Sequence, residues 1–321
     1  MKIHIPNSAW LGNIDPFLRS FDASASGKLI VSAHKQWISV HPVVLSMVAA
    51  LGLECESKNI SFDRLEAKSI HYLKRMGLFD LLGVKSDIKI TEHESAGRFI
   101  PITQISQVNR LTAFIEEMVP LLHLEPKQAK PIRYIISELT RNVFEHSESK
   151  IGAILCAQYY KKSNTIRLGI VDRGVGVHST ISSVHFVKND SQAIQLALTP
   201  GITGTTRRIG GTDLNAGAGL FFIKSIAKVN RDFFMIYSGS SMYKLLKTGQ
   251  DSRVKLLANP LNDKHSIEEN LPYWQGTVVG VDLTLDKGAE FVELLNLISN
   301  IYSQSIKERR KKYYKKKARF I

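Results

Sequence analysis

The spacing of hydrophobic positions changes along this chain, and each change marks a different element. Ile3-His4-Ile5 and Lys28-Leu29-Ile30-Val31-Ser32 are short apolar runs that predict strands. Residues 42–51 are apolar with almost no polar interruption, which predicts a buried helix. Pro42 stands near its first turn, where a missing N–H costs nothing. Asn59-Ile60-Ser61-Phe62 predicts another strand. Over residues 67–82, Ile70, Leu73, Met76 and Leu78 recur at helical spacing, with Gly77 as a break. Strand, helix, strand, helix over residues 1–84 predicts a small sheet with helices packed on it.

Residues 85–98 are rich in Lys, Asp, Glu and Ser and predict a linker. Phe99-Ile100-Pro101-Ile102 opens a second unit spanning residues 99–306. Two helices are expected there, over 104–119, stopped by Pro120, and over 127–145. Residues 151–159 and 165–171 read as strands joined by the polar turn Lys161-Lys162-Ser163-Asn164. Residues 177–216 are polar and contain Gly201, Gly204, Gly210 and Gly211, which predicts a long mobile loop around a short helix. A helix over 220–228, strands over 233–238, 241–246 and 276–285, and a closing helix over 289–306 complete the pattern. The fold class is α/β in two units, followed by a tail at 307–321.

Composition narrows the class. With 321 residues, 44% hydrophobic and 22% charged, the chain can bury two ordinary cores. The longest apolar run, residues 43–53, has 11 residues, and a bilayer needs about 20. The start Met1-Lys2-Ile3-His4-Ile5-Pro6 lacks the apolar core of a secretion signal. Cys55 and Cys156 have no metal-ligand spacing, so reduced, buried thiols in a cytoplasmic protein are expected. The net charge of +14 is concentrated: residues 307–321 hold nine Lys/Arg and one Glu, which is +8 of it. With Tyr313, Tyr314 and Phe320 interleaved, that tail suits a nucleic-acid backbone with stacked bases. It also suits an anionic membrane surface or a solubilising extension of the last helix.

The candidate chemistry lies in the second unit. Glu138 and Asn142 are four residues apart within an apolar periodic segment, so on a helix they share a face. There Asn142 offers a neutral oxygen to a hard cation such as Mg²⁺, and Glu138 offers a base for a water or hydroxyl. The same pair also fits two surface residues of an amphipathic helix. Asp172 follows an apolar strand and precedes Gly174 and Gly176, where a carboxylate can accept a hydrogen bond from a planar base. An ordinary Asp-Gly turn reads the same way. Gly217-Ala218-Gly219 opens the helix that starts near Leu220, an arrangement that receives phosphate oxygens. Arg207 and Arg208 are either triphosphate ligands or solvated loop charges.

In this order and spacing, the motifs resemble the GHKL ATPase superfamily (gyrase and histidine-kinase type) across about residues 100–287. Glu138 and Asn142 match its asparagine box, Asp172, Gly174 and Gly176 its first glycine box, and Gly217, Gly219 and Leu220 its second. Gly276-Thr277 is similar to the final glycine-containing strand, whose Thr supports the base-binding Asp. The resemblance implies a Bergerat-type α/β sandwich that holds ATP and Mg²⁺ under a lid formed by residues 178–216. Many members have a further glycine two residues before the second box; here Asn215 stands there.

The stretch from Glu138 to Ser147 looks most like the ATPases of the anti-sigma-factor kinase and sensor kinase type. Residues 37–45 and 72–79 are similar to a STAS-like regulatory domain. Together they resemble bacterial proteins in which a STAS-like segment precedes the ATPase. A full sensor kinase needs a phosphoacceptor His followed by an acid and a polar residue. Neither His71-Tyr72-Leu73 nor His123-Leu124-Glu125 fits. His146, one turn past Asn142, either lines the pocket or caps the helix end. The resemblance implies an ATP-dependent switch in signalling or defence, with a protein partner and a homodimer as further expectations. A serine/threonine kinase acting on a partner, and a nucleic-acid-linked ATPase using the tail, are the alternatives.

Overall fold

The computed structural model describes residues 1–21, 27–35, 39–63, 65, 67–86, 99–210, 217–249, 253–285 and 291–317. The linker prediction therefore falls almost wholly outside the described residues, as do Trp37, Ile38, Gly211, Asn215 and the last four residues. Among the described residues, no helix is long and apolar enough to cross a membrane.

The amino-terminal part begins with strands β1 (Lys2–Ile5) and β2 (Ser8–Ala9) and helix α1 (Asp15–Ser20). Strands β3 (Leu29–Ala33) and β4 (Ser39–Val40), helix α2 (Pro42–Gly52) and strand β5 (Ile60–Asp63) follow. Strands β1, β3 and β5 form a parallel three-stranded sheet in that order, and β2 pairs in parallel with β4. Helices α3 (Ala67–Arg75) and α4 (Leu78–Leu81) are separated at Gly77, whose φ of +78° a glycine adopts without strain. The break expected at that residue is present.

The second part contains strand β6 (Phe99–Ile105) and helices α5 (Leu111–Met118) and α6 (Pro126–His146). Strands β7 (Ala153–Tyr160) and β8 (Thr165–Val171) come next, then helices α7 (Gly176–Ser182), α8 (Asp190–Ala197) and α9 (Gly219–Val229). Strands β9 (Phe234–Gly239), β10 (Ser241–Leu245), β11 (His265–Glu268) and β12 (Trp274–Thr284) precede the last helix, α10 (Phe291–Lys317). Seven strands form one sheet in the order β11-β10-β9-β12-β8-β7-β6, with every neighbouring pair antiparallel.

The helix expected from residue 104 starts instead at Leu111. Gln104 and Ile105 pair with Ile154 and Ala153 of β7, so the ladder takes residues whose local pattern also suits a helix. Among its described residues, the segment expected as a loop over 177–216 holds two helices rather than one. The closing helix absorbs the start of the basic tail and runs on to Lys317.

Alternation along the strands sends side chains to both faces of the large sheet. Ala153, Leu155, Ile166, Leu168, Ile170, Ile236 and Val279 face a core shared with α6, α9 and α10. Ile154, Cys156, Val171, Met235, Tyr237 and Val278 face the other core, which they share with the amino-terminal part. Helix α2 is the centrepiece of that second core. Every one of its residues is buried, and its first turn is capped by His41 Nδ1, which accepts from the Val43 N–H at 3.1 Å. It lies so close to β8 that a Cβ on Gly169 would fall 2.3 Å from Val43 Cα. Cys156 is buried beneath α2, and burial pushes its thiol up to about 12; Cys55 is only half-buried, and neither forms a disulfide.

Candidate functional site

Helix α6 supplies one wall of the site. It starts with Pro126 at its first position, and the Glu125 N–H donates to Gln128 Oε1 at 3.2 Å. Ile132, Ile135, Ile136, Leu139 and Val143 bury one stripe on the sheet. That stripe turns Glu138 and Asn142 toward a cavity of about 340 Å³ bounded by α6, α7, α9 and strands β8 and β12. Tyr134, Arg141, Glu145 and His146 line the same wall. The Glu138 carboxyl is pushed above its usual range by burial, opposed by Arg141, whose Nη1 lies 3.5 Å from Oε1. His146 is held below the ordinary histidine value, again by burial.

Asp172 closes the inner end. It follows the last residue of β8 and is 3% exposed. Its N–H donates to the Thr277 carbonyl at 2.9 Å, and its Oδ1 accepts from the Gly174 N–H at 2.8 Å. The Thr277 side chain is hydrogen-bonded to the same carboxyl. Burial pushes the Asp172 pKa up to about 6, against these stabilising hydrogen bonds. Gly174 itself does not line the cavity. A Cβ there would lie 1.9 Å from the Ser147 carbonyl, so its absence lets the end of α6 dock beside Asp172. Gly176 lines the cavity at the start of α7.

The outer end is built by α9. Gly217, Ala218, Gly219 and Leu220 line the cavity at its amino terminus. Gly217 has φ +64°, and a Cβ would meet the Ile202 carbonyl at 2.3 Å. A Cβ on Gly219 would come within 2.8 Å of Glu138 Oε2 and 3.7 Å of Asn142 Nδ2, so the acid–amide pair abuts this helix end. Ile202, Thr203 and Gly204 complete the rim. They are tied to the segment after α7: His185 Nε2 lies 3.0 Å from the Thr203 carbonyl, and Ser183 Oγ donates to the Gly204 carbonyl at 3.1 Å.

The structure thus gathers Glu138, Asn142, Asp172, Gly176, Gly217, Gly219, Leu220 and Thr277 around one cavity, with Gly174 behind it. Arg207 is not among them. It is exposed, and its Nε donates to the Val184 carbonyl at 2.9 Å. Tyr134, Arg141 and Glu145 were missed by motif reasoning, although their spacing of four, three and seven from Glu138 puts them on its helix face. Thr180 and Thr203 carry no signal in the sequence, since α7 and the rim meet α6 only through the fold.

Chemically, the cavity has apolar walls of Ile170, Val177, Ile181 and Val279 and a buried carboxylate at one end. A helix amino terminus with an acid, an amide and Arg141 stands at the other, where an anionic group is favoured. Among the described residues, no group of three or more His, Cys, Asp or Glu side chains is placed to hold a metal. No protein-family model matches this chain, and no curated protein matches it.

Proposed function

We propose that this cavity binds Mg-ATP and that the chain is a regulatory ATPase of the GHKL type, with a STAS-like amino-terminal part and a Bergerat-type sandwich. One observation carries the reading: segments around residues 138–142, 172–176, 217–220 and 277 line or back a single cleft. Its volume of about 340 Å³ lies in the range of ligand sites.

Each residue has a role in that reading. Asp172, oriented by the Gly174 N–H and by Thr277, accepts a hydrogen bond from the exocyclic amino group of adenine. The apolar walls cover the faces of the base. The amino terminus of α9, freed of side chains at Gly217 and Gly219, receives phosphate oxygens. Glu138 abuts that helix end and has a raised pKa, which suits a base that orients a water or hydroxyl toward the terminal phosphate.

For magnesium, the cavity lining offers two oxygen-bearing side chains, the Asn142 amide and the Glu138 carboxylate, and water would complete the shell. Bound there, the ion would neutralise phosphate charge. Arg141 adds a further positive group at the rim. The rim residues 202–204, attached to α7, are the part able to respond to a bound nucleotide and pass the state to a protein partner.

The test is calorimetric titration with Mg-ATP, paired with γ-labelled ATP and scored for free phosphate and for label on protein. Glu138→Gln and Asn142→Ala serve as controls. Binding with phosphate release that disappears in the Glu138 variant is the expected result. Label on an added protein would make the chain a kinase. No binding at millimolar ATP would overturn the proposal.

A further inference from the structure

The basic end of the last helix is fastened to the loop that borders the cavity. Ile306 of α10 packs against Gly201 and Gly210 so closely that a Cβ on either would lie 2.9 and 3.3 Å from its side chain. Arg309 Nη1 donates to the Pro200 carbonyl at 3.1 Å. Arg310 donates from Nε and Nη2 to the Ile209 carbonyl at 3.2 and 2.9 Å. The loop is itself laced together: the Gly210 N–H donates to Gly201, and the Gly201 N–H to Gly217, each at 3.0 Å. Gly217 and Ile202 line the cavity. A continuous run of hydrogen bonds therefore joins the last helix to the cavity wall.

Helix α10 does not stop at this clamp. It continues to Lys317, and residues 311–317 read Lys-Lys-Tyr-Tyr-Lys-Lys-Lys. A helix that lies on a membrane buries an apolar face in the acyl boundary, and this stretch has no aliphatic residue to bury. By composition it suits a phosphate backbone instead, and tyrosine is a residue type on which bases stack.

We propose that the basic end of α10 binds nucleic acid through its phosphates, and that this binding draws Arg309 and Arg310 off the loop carbonyls and frees the cavity wall. The direction follows from acceptor strength. A phosphate adds a full opposite charge and a bidentate acceptor for the guanidinium, whereas each clamp acceptor is a neutral carbonyl. The clamp stands on the contacts above and its release on the charge of the phosphate; only the consequence, a loosened nucleotide site, rests on the reading of the cavity.

The experiment is amide hydrogen exchange over residues 199–210 of the full chain. It is run alone, with single-stranded DNA of about 20 nucleotides, and with phosphatidylserine vesicles. The DNA is expected to bind with affinity that falls about a hundredfold between roughly 50 and 200 mM salt. The amides of Gly201, Ile202 and Gly210 are expected to exchange at least about threefold faster in its presence. A variant carrying Arg309→Gln and Arg310→Gln should exchange fast from the start and gain nothing from DNA. A variant with Lys311, Lys312, Lys315, Lys316 and Lys317 each changed to Gln should lose DNA binding and keep slow exchange.

Absence of DNA binding at low salt, binding with unchanged exchange, or acceleration by vesicles and not by DNA would each overturn the proposal. Exchange is read without nucleotide, so failure of ATP to bind would leave this inference standing. Conversely, ATP binding with DNA-insensitive exchange would sink this inference alone.

Discussion

Glu138 on α6 and Gly219 on α9 stand against each other, with the carboxylate Oε2 2.8 Å from where a Cβ at residue 219 would be. The missing side chain leaves room at that helix end for the acid and for a ligand oxygen together. Gly219→Ala should fold with stability within about 1 kcal/mol of the parent. The obstructing atom ends a flexible side chain, and Ala favours the helix. On the proposed reading, Mg-ATP affinity should drop at least about tenfold, because Glu138 is displaced from the amino terminus of α9. Gly217→Ala should behave in the opposite sense. Its φ is +64° and its Cβ would strike the Ile202 backbone, so a stability loss of about 1–3 kcal/mol is expected in urea denaturation. Equal stability losses in the two variants would refute this distinction.

Asp172 should make the site sensitive to pH. Its folded pKa of about 6 lies above the ordinary 3.8, so between those values the folded chain holds a proton that the unfolded chain releases. The contribution is fully present below pH of about 4 and is lost as pH rises through about 6. Asp172→Asn should therefore match the parent near pH 4 and be more stable at pH 8. It should nonetheless bind ATP about tenfold or more weakly. Its amide oxygen satisfies the Gly174 N–H and leaves an NH₂ where the proposed adenine contact needs an acceptor. Parent binding should weaken as pH falls below about 6. Thermal melts and titrations at three pH values decide both points.

Glu138→Gln keeps shape and removes the base that the proposed reaction requires. Phosphate release should fall by about 10²–10⁴ with Mg-ATP binding preserved within about threefold. Release at the parental rate would remove Glu138 from the chemistry.

His41 predicts a pH effect from the opposite face of the sheet. It is fully buried, its Nδ1 caps α2, and its Nε2 lies 3.2 Å from Asp282 Oδ1. Burial lowers its pKa below 6.5 despite that carboxylate. The unfolded chain then takes up the proton first, so the stability is present above about pH 6.5 and is lost as pH falls below it. His41→Asn retains a capping acceptor without a titrating group. It should be less stable at pH 7 by about 1–3 kcal/mol, with a flatter profile below pH 6.5, read as urea midpoints at each pH.

Periodicity alone determined much of this protein. The apolar periodic segment around Glu138 marked a helix over 127–145, within a residue of α6 at each end, and the four-residue spacing put Glu138 and Asn142 on one face. The break at Gly77 and the strands on either side of residues 161–164 were equally legible, because local backbone preference decides them. Tertiary structure decided the rest. Gln104 and Ile105 became strand only because β7 was there to pair with them. The apolar run at 42–51 announced a buried helix, but its seat on β8 depends on Gly169, more than a hundred residues away. Arg207, a candidate phosphate ligand by its loop, is turned to Val184, while Thr180 and Thr203 reach the cavity without any local sign. The basic tail read as a separate segment, yet Arg309 and Arg310 bond carbonyls 109 and 101 residues earlier. Helical and strand patterns record which face of an element avoids water. Which element covers that face, and which polar groups then meet, is set by contacts between distant residues that no local pattern encodes.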